Sequence, residues 1–203
     1  MFWPALSVAA AAEADPERVR LGVRLLGEAL EDPEVALSYG GDGLGGEIAA
    51  TVPVVGPIHV TLEAGYLRRG GHLVTAAGGA GAASSFWYLP MSLPVSWVAD
   101  LGAVQLGAGV GPTYLLFAEP EVSNGADIVE SGGKFGFVVN ARASIATKMV
   151  RASLHDPDRG PRSLDVTIGI GYRHAFANLF GPDAGQGHDL SAARAALGIE
   201  LVY

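Results

Sequence analysis

The chain has 203 residues, no cysteine and a formal net charge of −8. The missing thiols exclude a disulfide framework and a thiolate metal site, and the acidic balance argues against a nucleic-acid partner. Charged residues are 17% of the chain, below the usual ~25%, and Lys134 and Lys148 are the only lysines beside eleven arginines, whereas a water-exposed surface is normally rich in lysine.

Residues 1–14 are largely apolar and end in Ala12-Glu13-Ala14. This is the small-x-small pattern of a secretory cleavage site, without the basic segment that usually precedes it. The expectation is a signal-peptide remnant over 1–14 and one domain over 15–203. No run of 18 residues is purely apolar; the nearest, 101–118, holds Gln105, Pro112 and four glycines, which suits a strand better than a membrane helix.

From residue 18 onward the chain alternates apolar and polar positions with period two, the signature of strands with one apolar face. Val19, Leu21, Val23 and Leu25 make the first, and 28–43 reads as an acidic, glycine-rich loop. Ile48 to Val54 and Ile58 to Tyr66 make the second and third, joined by the tight turn Val55-Gly56-Pro57. A second long loop is expected over 70–85, then a fourth strand from Trp87 to Trp97 and a fifth from Val104 to Tyr114. A third loop over 118–133 precedes strand six, Phe135 to Ile145, and a Pro/Asp/Gly connector, 155–162, precedes strand seven, Leu164 to Tyr172. After a fourth loop, 178–190, the last strand runs from Ala192 to Tyr203. Eight strands with long and short connections in alternation predict an all-β fold, an eight-stranded antiparallel up-and-down barrel in which the last strand closes on the first. Pro53, Pro90, Pro94 and Pro112 fall inside strand patterns, so irregular pairing is expected around strand four.

Parity does not say which face is inside. The polar parity carries small residues, arginines and carboxylates, which suits a narrow packed interior. The aromatics mark levels. Tyr66, Tyr114 and Tyr172 end their strands beside long loops, Trp87 lies at the loop end and Trp97 at the turn end of one strand, and Tyr203 is also at the turn end. Ten residues at ~3.3 Å rise and ~40° tilt give roughly 25 Å, the height of a barrel's apolar band. Two aromatic girdles at the membrane interfaces are therefore expected, with the apolar parity facing lipid.

On these features the chain resembles the small eight-stranded outer-membrane barrels of Gram-negative bacteria, the OmpA/OmpX type, over about residues 18–203. Gly198, Leu201 and Tyr203 resemble the C-terminal signal read by the barrel-assembly machinery in such proteins, although Ala196 stands where a polar residue is usual. The resemblance implies residence in the outer membrane among its lipid and lipopolysaccharide, contact with the assembly machinery during biogenesis, and a monomer. Cell-wall tethering through a peptidoglycan-binding domain is not expected from this resemblance.

Arg20, Arg24, Arg142, Arg173 and Arg194 share the inward parity with Glu47, Glu63, Asp165 and Glu200. In an interior just wide enough for side chains, these charges are expected to pair into a network closing the lumen, because an isolated buried charge costs several kcal/mol. Glu47, Glu63 and Arg142 are expected to meet Arg20 or Arg24 at its centre. No cofactor, metal or catalytic residue is assigned. His59, Thr61 and Glu63 line one inward row, but the row matches a serine–histidine catalytic pair poorly, and an interior hydrogen-bonded histidine is the plainer reading. His174 reads as interfacial packing, and the acidic loops lack regular Ca²⁺ spacing. The expected role is a structural or surface-interaction barrel. A small pore or carrier of apolar solutes is the alternative, marked by a continuous lumen. A lipid-modifying enzyme is the remote one, marked by a Ser/His pair at the outer rim.

Overall fold

In the computed structural model, residues 19–39, 42–74, 80–123, 126–147, 163–175 and 189–203 are described. The strands are β1 (Arg20–Leu30), β2 (Asp42–Val55), β3 (Ile58–Val74), β4 (Ala80–Ser92), β5 (Val95–Asp100), β6 (Val104–Ser123), β7 (Ala126–Thr147), β8 (Ser163–Ala175) and β9 (Ala192–Val202). Each pairs antiparallel with its chain neighbour, except that β4 and β5 lie end to end between β3 and β6. They are one wall position, interrupted at Leu93-Pro94. The last strand returns to the first, with Arg24 opposite Gly198 and Leu21 opposite Leu201. The wall is therefore a closed eight-stranded antiparallel barrel.

The interruption lies where the prolines anticipated irregular pairing. Pro90 and Pro94 bring no amide donor to the ladder. The wall is carried across by the Thr61 amide donating to the Pro94 carbonyl and the Leu93 amide to the Pro112 carbonyl, both at 3.0 Å.

Strands at the long-connection end run farther than the alternation indicated. β1 continues five residues past Leu25, because Leu25-Leu26 and the residues after them break the period-two pattern without ending the strand. The expected loop 28–43 holds a helix, α1 (Pro33–Tyr39), with proline at the first helical position, where its fixed φ suits the turn. The expected loops 70–85 and 118–133 are largely hairpin. Their glycine- and acid-rich composition hid ladders that pair His72 with Ala83 and Glu119 with Glu130. The residues 1–18 expected to include a leader, the 155–162 connector and most of the 178–190 loop lie outside the described residues.

The barrel is apolar outside and charged inside. On β1, Val23 and Leu25 are 62% and 70% exposed, while Arg24 between them is 6% exposed. Ile48, Leu62, Ile168, Ile170 and Leu197 repeat this around the wall. A soluble barrel would reverse the two faces. In water this wall would be a continuous apolar surface far above the few hundred Å² normal for a soluble monomer; its natural solvent is lipid.

Candidate functional site

The lumen is built in layers, each set by which inward position of each strand reaches the same height. Arg24 of β1 is the hub of the middle layer. Its guanidinium lies 2.9 Å from Glu47 of β2, 3.1 Å from Glu63 of β3 and 2.7 Å from Glu200 of β9. Arg194 of β9 joins Glu47 and comes within 3.8 Å of Glu63. Arg142 of β7 reaches Glu200 at 3.0 Å. Nearer the turn end, Arg20 approaches Asp165 at 3.5 Å and Glu200 at 3.9 Å. Of the expected central contacts, then, Glu47 and Glu63 meet Arg24. Arg142 joins them through the Glu200 oxygen it shares with Arg24, and Arg20 pairs with Asp165.

Above this layer the key residue is Glu28, which falls in the segment expected as the 28–43 loop. It is 3% exposed. Arg173 grips its two carboxylate oxygens at 2.8 Å each, Arg194 Nε lies 3.0 Å away, and the Tyr88 hydroxyl donates to it at 2.7 Å. Arg69 donates to the Glu28 carbonyl at 2.9 Å, and the Arg173 guanidinium lies 5.2 Å from the centre of the Tyr88 ring. Such bidentate, charge-assisted pairs are the strong class of polar contact. Lys134 is also buried and inward, on β7, one residue before the expected start of strand six.

The mouth at the long-connection end holds a buried apolar cluster. Leu26, Leu30, Leu67, Phe86, Tyr88, Leu115 and Leu190 are buried together, with Tyr39 of α1 set on Phe86 at 5.7 Å between ring centres. This corrects the expectation of an interior made of small and charged residues alone. Leu26, Leu67 and Leu115 each sit beside an outward apolar residue, so alternation gave no sign that they point inward. Between cap and turn end lies a cavity of about 40 Å³, bordered by Arg24, Glu63, Asn140, Arg142, Thr167 and Gly169, room for about three waters.

Glycines on the inward parity make space for the long side chains. A Cβ on Gly22 would sit 2.9 Å from Glu200 Cγ, and one on Gly43 would sit 2.8 Å from the Arg69 guanidinium. These positions are recesses that make room for the Glu200 and Arg69 side chains.

Tyr66, Tyr114 and Tyr203 face outward at 47%, 42% and 37% exposure, and Trp97 at 55%. Trp87 and Tyr172 are half-buried, and Tyr172 donates to Glu31 at 2.8 Å. Gly198 lies inward under Arg24, while Leu201 and Tyr203 lie on the outward parity at the chain end, where the Tyr203 amide donates to the Val19 carbonyl.

His59 points inward, half-buried, as expected of an interior histidine, and its Nδ1 has no hydrogen-bond partner among the described residues. Its neighbour Thr61 bonds Thr51 at 3.0 Å. A Ser/His contact does occur at the outer rim: Ser191 Oγ lies 3.1 Å from His174 Nδ1. Ser191 is fully buried and its hydroxyl oxygen already accepts the Ala175 amide at 3.1 Å. A nucleophile needs an approachable, unencumbered oxygen; this one is a strut between β8 and β9. His174 also packs its ring 5.4 Å from that of Phe137.

Neither a protein-family model nor a curated protein matches the sequence. The fold has clear counterparts among solved structures. OprG from Pseudomonas aeruginosa superposes with a TM-score of 0.61 at 13% identity, covering 92% of this chain and 96% of that one. Ail, the attachment invasion locus protein of Yersinia pestis, solved with the heparin analogue sucrose octasulfate, gives 0.54 at 11% identity over 92% and 99%. Neisserial surface protein A gives 0.51 at 12% identity over 91% and 94%. A closed antiparallel wall, an apolar exterior, a charged interior and these counterparts give one conclusion: the chain has the fold of the small eight-stranded barrels of the bacterial outer membrane.

Proposed function

We propose that the protein resides in the outer membrane as a plugged barrel with a structural or surface-interaction role, and that it neither conducts nor catalyses. The carrying observation is Arg24 held by Glu47, Glu63 and Glu200 within 3.1 Å across the middle of the lumen. A permeating ion would have to part charges whose separation leaves each unpaired at low dielectric, a cost of several kcal/mol per charge. The apolar cap around Leu67 and Phe86 is a second barrier. In this reading Gly198, Leu201 and Tyr203 serve recognition by the assembly machinery, the aromatics seat the barrel at the two interfaces, and the protein works as a monomer surrounded by lipid and lipopolysaccharide, with no cofactor, metal or nucleic acid. The surface partner would meet the outer end, where the β6–β7 hairpin extends past the last pairing of β6 with β4 at Ala118.

The test is a planar bilayer. The purified, folded chain should give negligible conductance at moderate voltage. Steady ohmic current from the wild type would overturn the plug and favour a small pore. The pore reading has one observation of its own: Gly107, Gly169 and Gly171 thin the lining beside the cavity.

A further inference from the structure

Among the described residues, Arg20, Arg24, Arg69, Arg142, Arg173, Arg194 and Lys134 are all turned into the lumen; Arg68 alone is a cation on the outer wall. It is exposed and makes no hydrogen bond or ion pair with any described residue. Its level is set by register. Leu44 lies beside it on β2 and Trp87 beside it on β4, and Tyr66 is the next outward residue below it on β3. Leu44 is 82% exposed and Tyr66 47%. Arg68 therefore stands level with Trp87, at the upper edge of the aromatic belt at the long-connection end. His72, two outward positions farther along β3, is exposed on the same side.

An arginine there is matched by no described residue. Within hydrocarbon it would be costly, and at the interface it is cheap only when its charge is met. Long-connection ends face outward in such barrels, and a planar guanidinium is built for bidentate grip on phosphate. Resting on the outer-membrane reading above, we propose that Arg68, flanked by Trp87 and Tyr66 and assisted by His72, is a docking site for the phosphate of a phosphorylated glycolipid of the outer leaflet. Trp87 and Tyr66 would meet the sugar and the start of the acyl chains, where amphipathic rings are at home.

The experiment uses the full chain folded in detergent micelles and titrated with lipid A, with dephosphorylated lipid A, or with phosphatidylglycerol. The readout is the temperature at which the folded, fast-migrating band converts to the unfolded one. Lipid A should raise that temperature, and Arg68→Ala should need about tenfold more lipid A for the same shift, the scale of one lost charge-assisted contact. Arg68→Lys should recover part of the response, and the other two lipids should give little. An equal response from Arg68→Ala, or from dephosphorylated lipid A, would overturn the site. An equal response to phosphatidylglycerol would overturn the glycolipid in favour of any phosphate headgroup. A wild type that forms the heat-sensitive folded band yet ignores lipid A defeats this proposal alone; a chain with no such band in detergent defeats the outer-membrane reading beneath it.

Discussion

Gly198 lies directly opposite Arg24 in the β1–β9 ladder, and the arginine side chain crosses the space a Cβ would fill, its Cγ 2.5 Å from that point. The glycine that resembles part of an assembly signal is thus also the recess that lets Arg24 reach three carboxylates. Gly198→Ala should destabilise the folded barrel by about 1–3 kcal/mol, the cost of overpacking. Gly27→Ala, whose Cβ would meet nothing closer than 3.8 Å, should be nearly neutral. Urea unfolding in lipid vesicles would decide: equal midpoints for the two variants would remove the recess argument.

Arg24 and Arg142 differ in how many charges they serve. Arg24→Ala leaves Glu47, Glu63 and Glu200 short of a partner and should cost about 3–5 kcal/mol. Arg142→Ala removes one of the cations on Glu200 and should cost clearly less. The same vesicle titration measures both, and a reversed order would show that the hub is misplaced.

The outer wall is tested by charge insertion. Leu62→Arg and Val166→Arg replace residues 58% and 41% exposed on the lipid side and should each cost about 2–4 kcal/mol near mid-bilayer. Thr167→Ala, on the inward parity with an unbonded hydroxyl, should cost under about 1 kcal/mol. Finding the arginines neutral and the alanine costly would mean a soluble protein.

The cap makes a separate claim. Leu67 and Leu115 are fully buried at the mouth of the lumen, so Leu67→Ala or Leu115→Ala should cost about 2–5 kcal/mol, as in a soluble core. A negligible effect on the heat-induced mobility change would mean that the mouth is open and wet.

The wall was legible because the spanning parts of the strands follow the period of two, with apolar residues on the exposed face. The lumen was legible only as a set of charges. Register, which decides that Glu47 meets Arg24 while Asp165 meets Arg20, is not written in any one strand. Glu28 and Tyr88 were missed for different reasons. Glu28 follows Leu25-Leu26, where alternation lapses and the strand continues on ladder bonds alone. Tyr88 sits between two outward apolar residues, and an inward aromatic there is indistinguishable from strand apolarity. The helix α1 was missed because seven residues are too few for a helical period to declare itself.

The interruption at Leu93-Pro94 has a consequence for how the barrel comes apart. Pro90, Pro94 and Pro112 all withhold an amide within a few residues of it, and two cross-bonds, from Thr61 to Pro94 and from Leu93 to Pro112, bridge the gap. Other ladders are longer and unbroken, with ten pairs between β1 and β2 and eleven between β1 and β9. Solvent deuterium should enter first along this proline seam, and a barrel pulled or heated to failure should unzip from there, with the β6–β7 hairpin the last piece to let go.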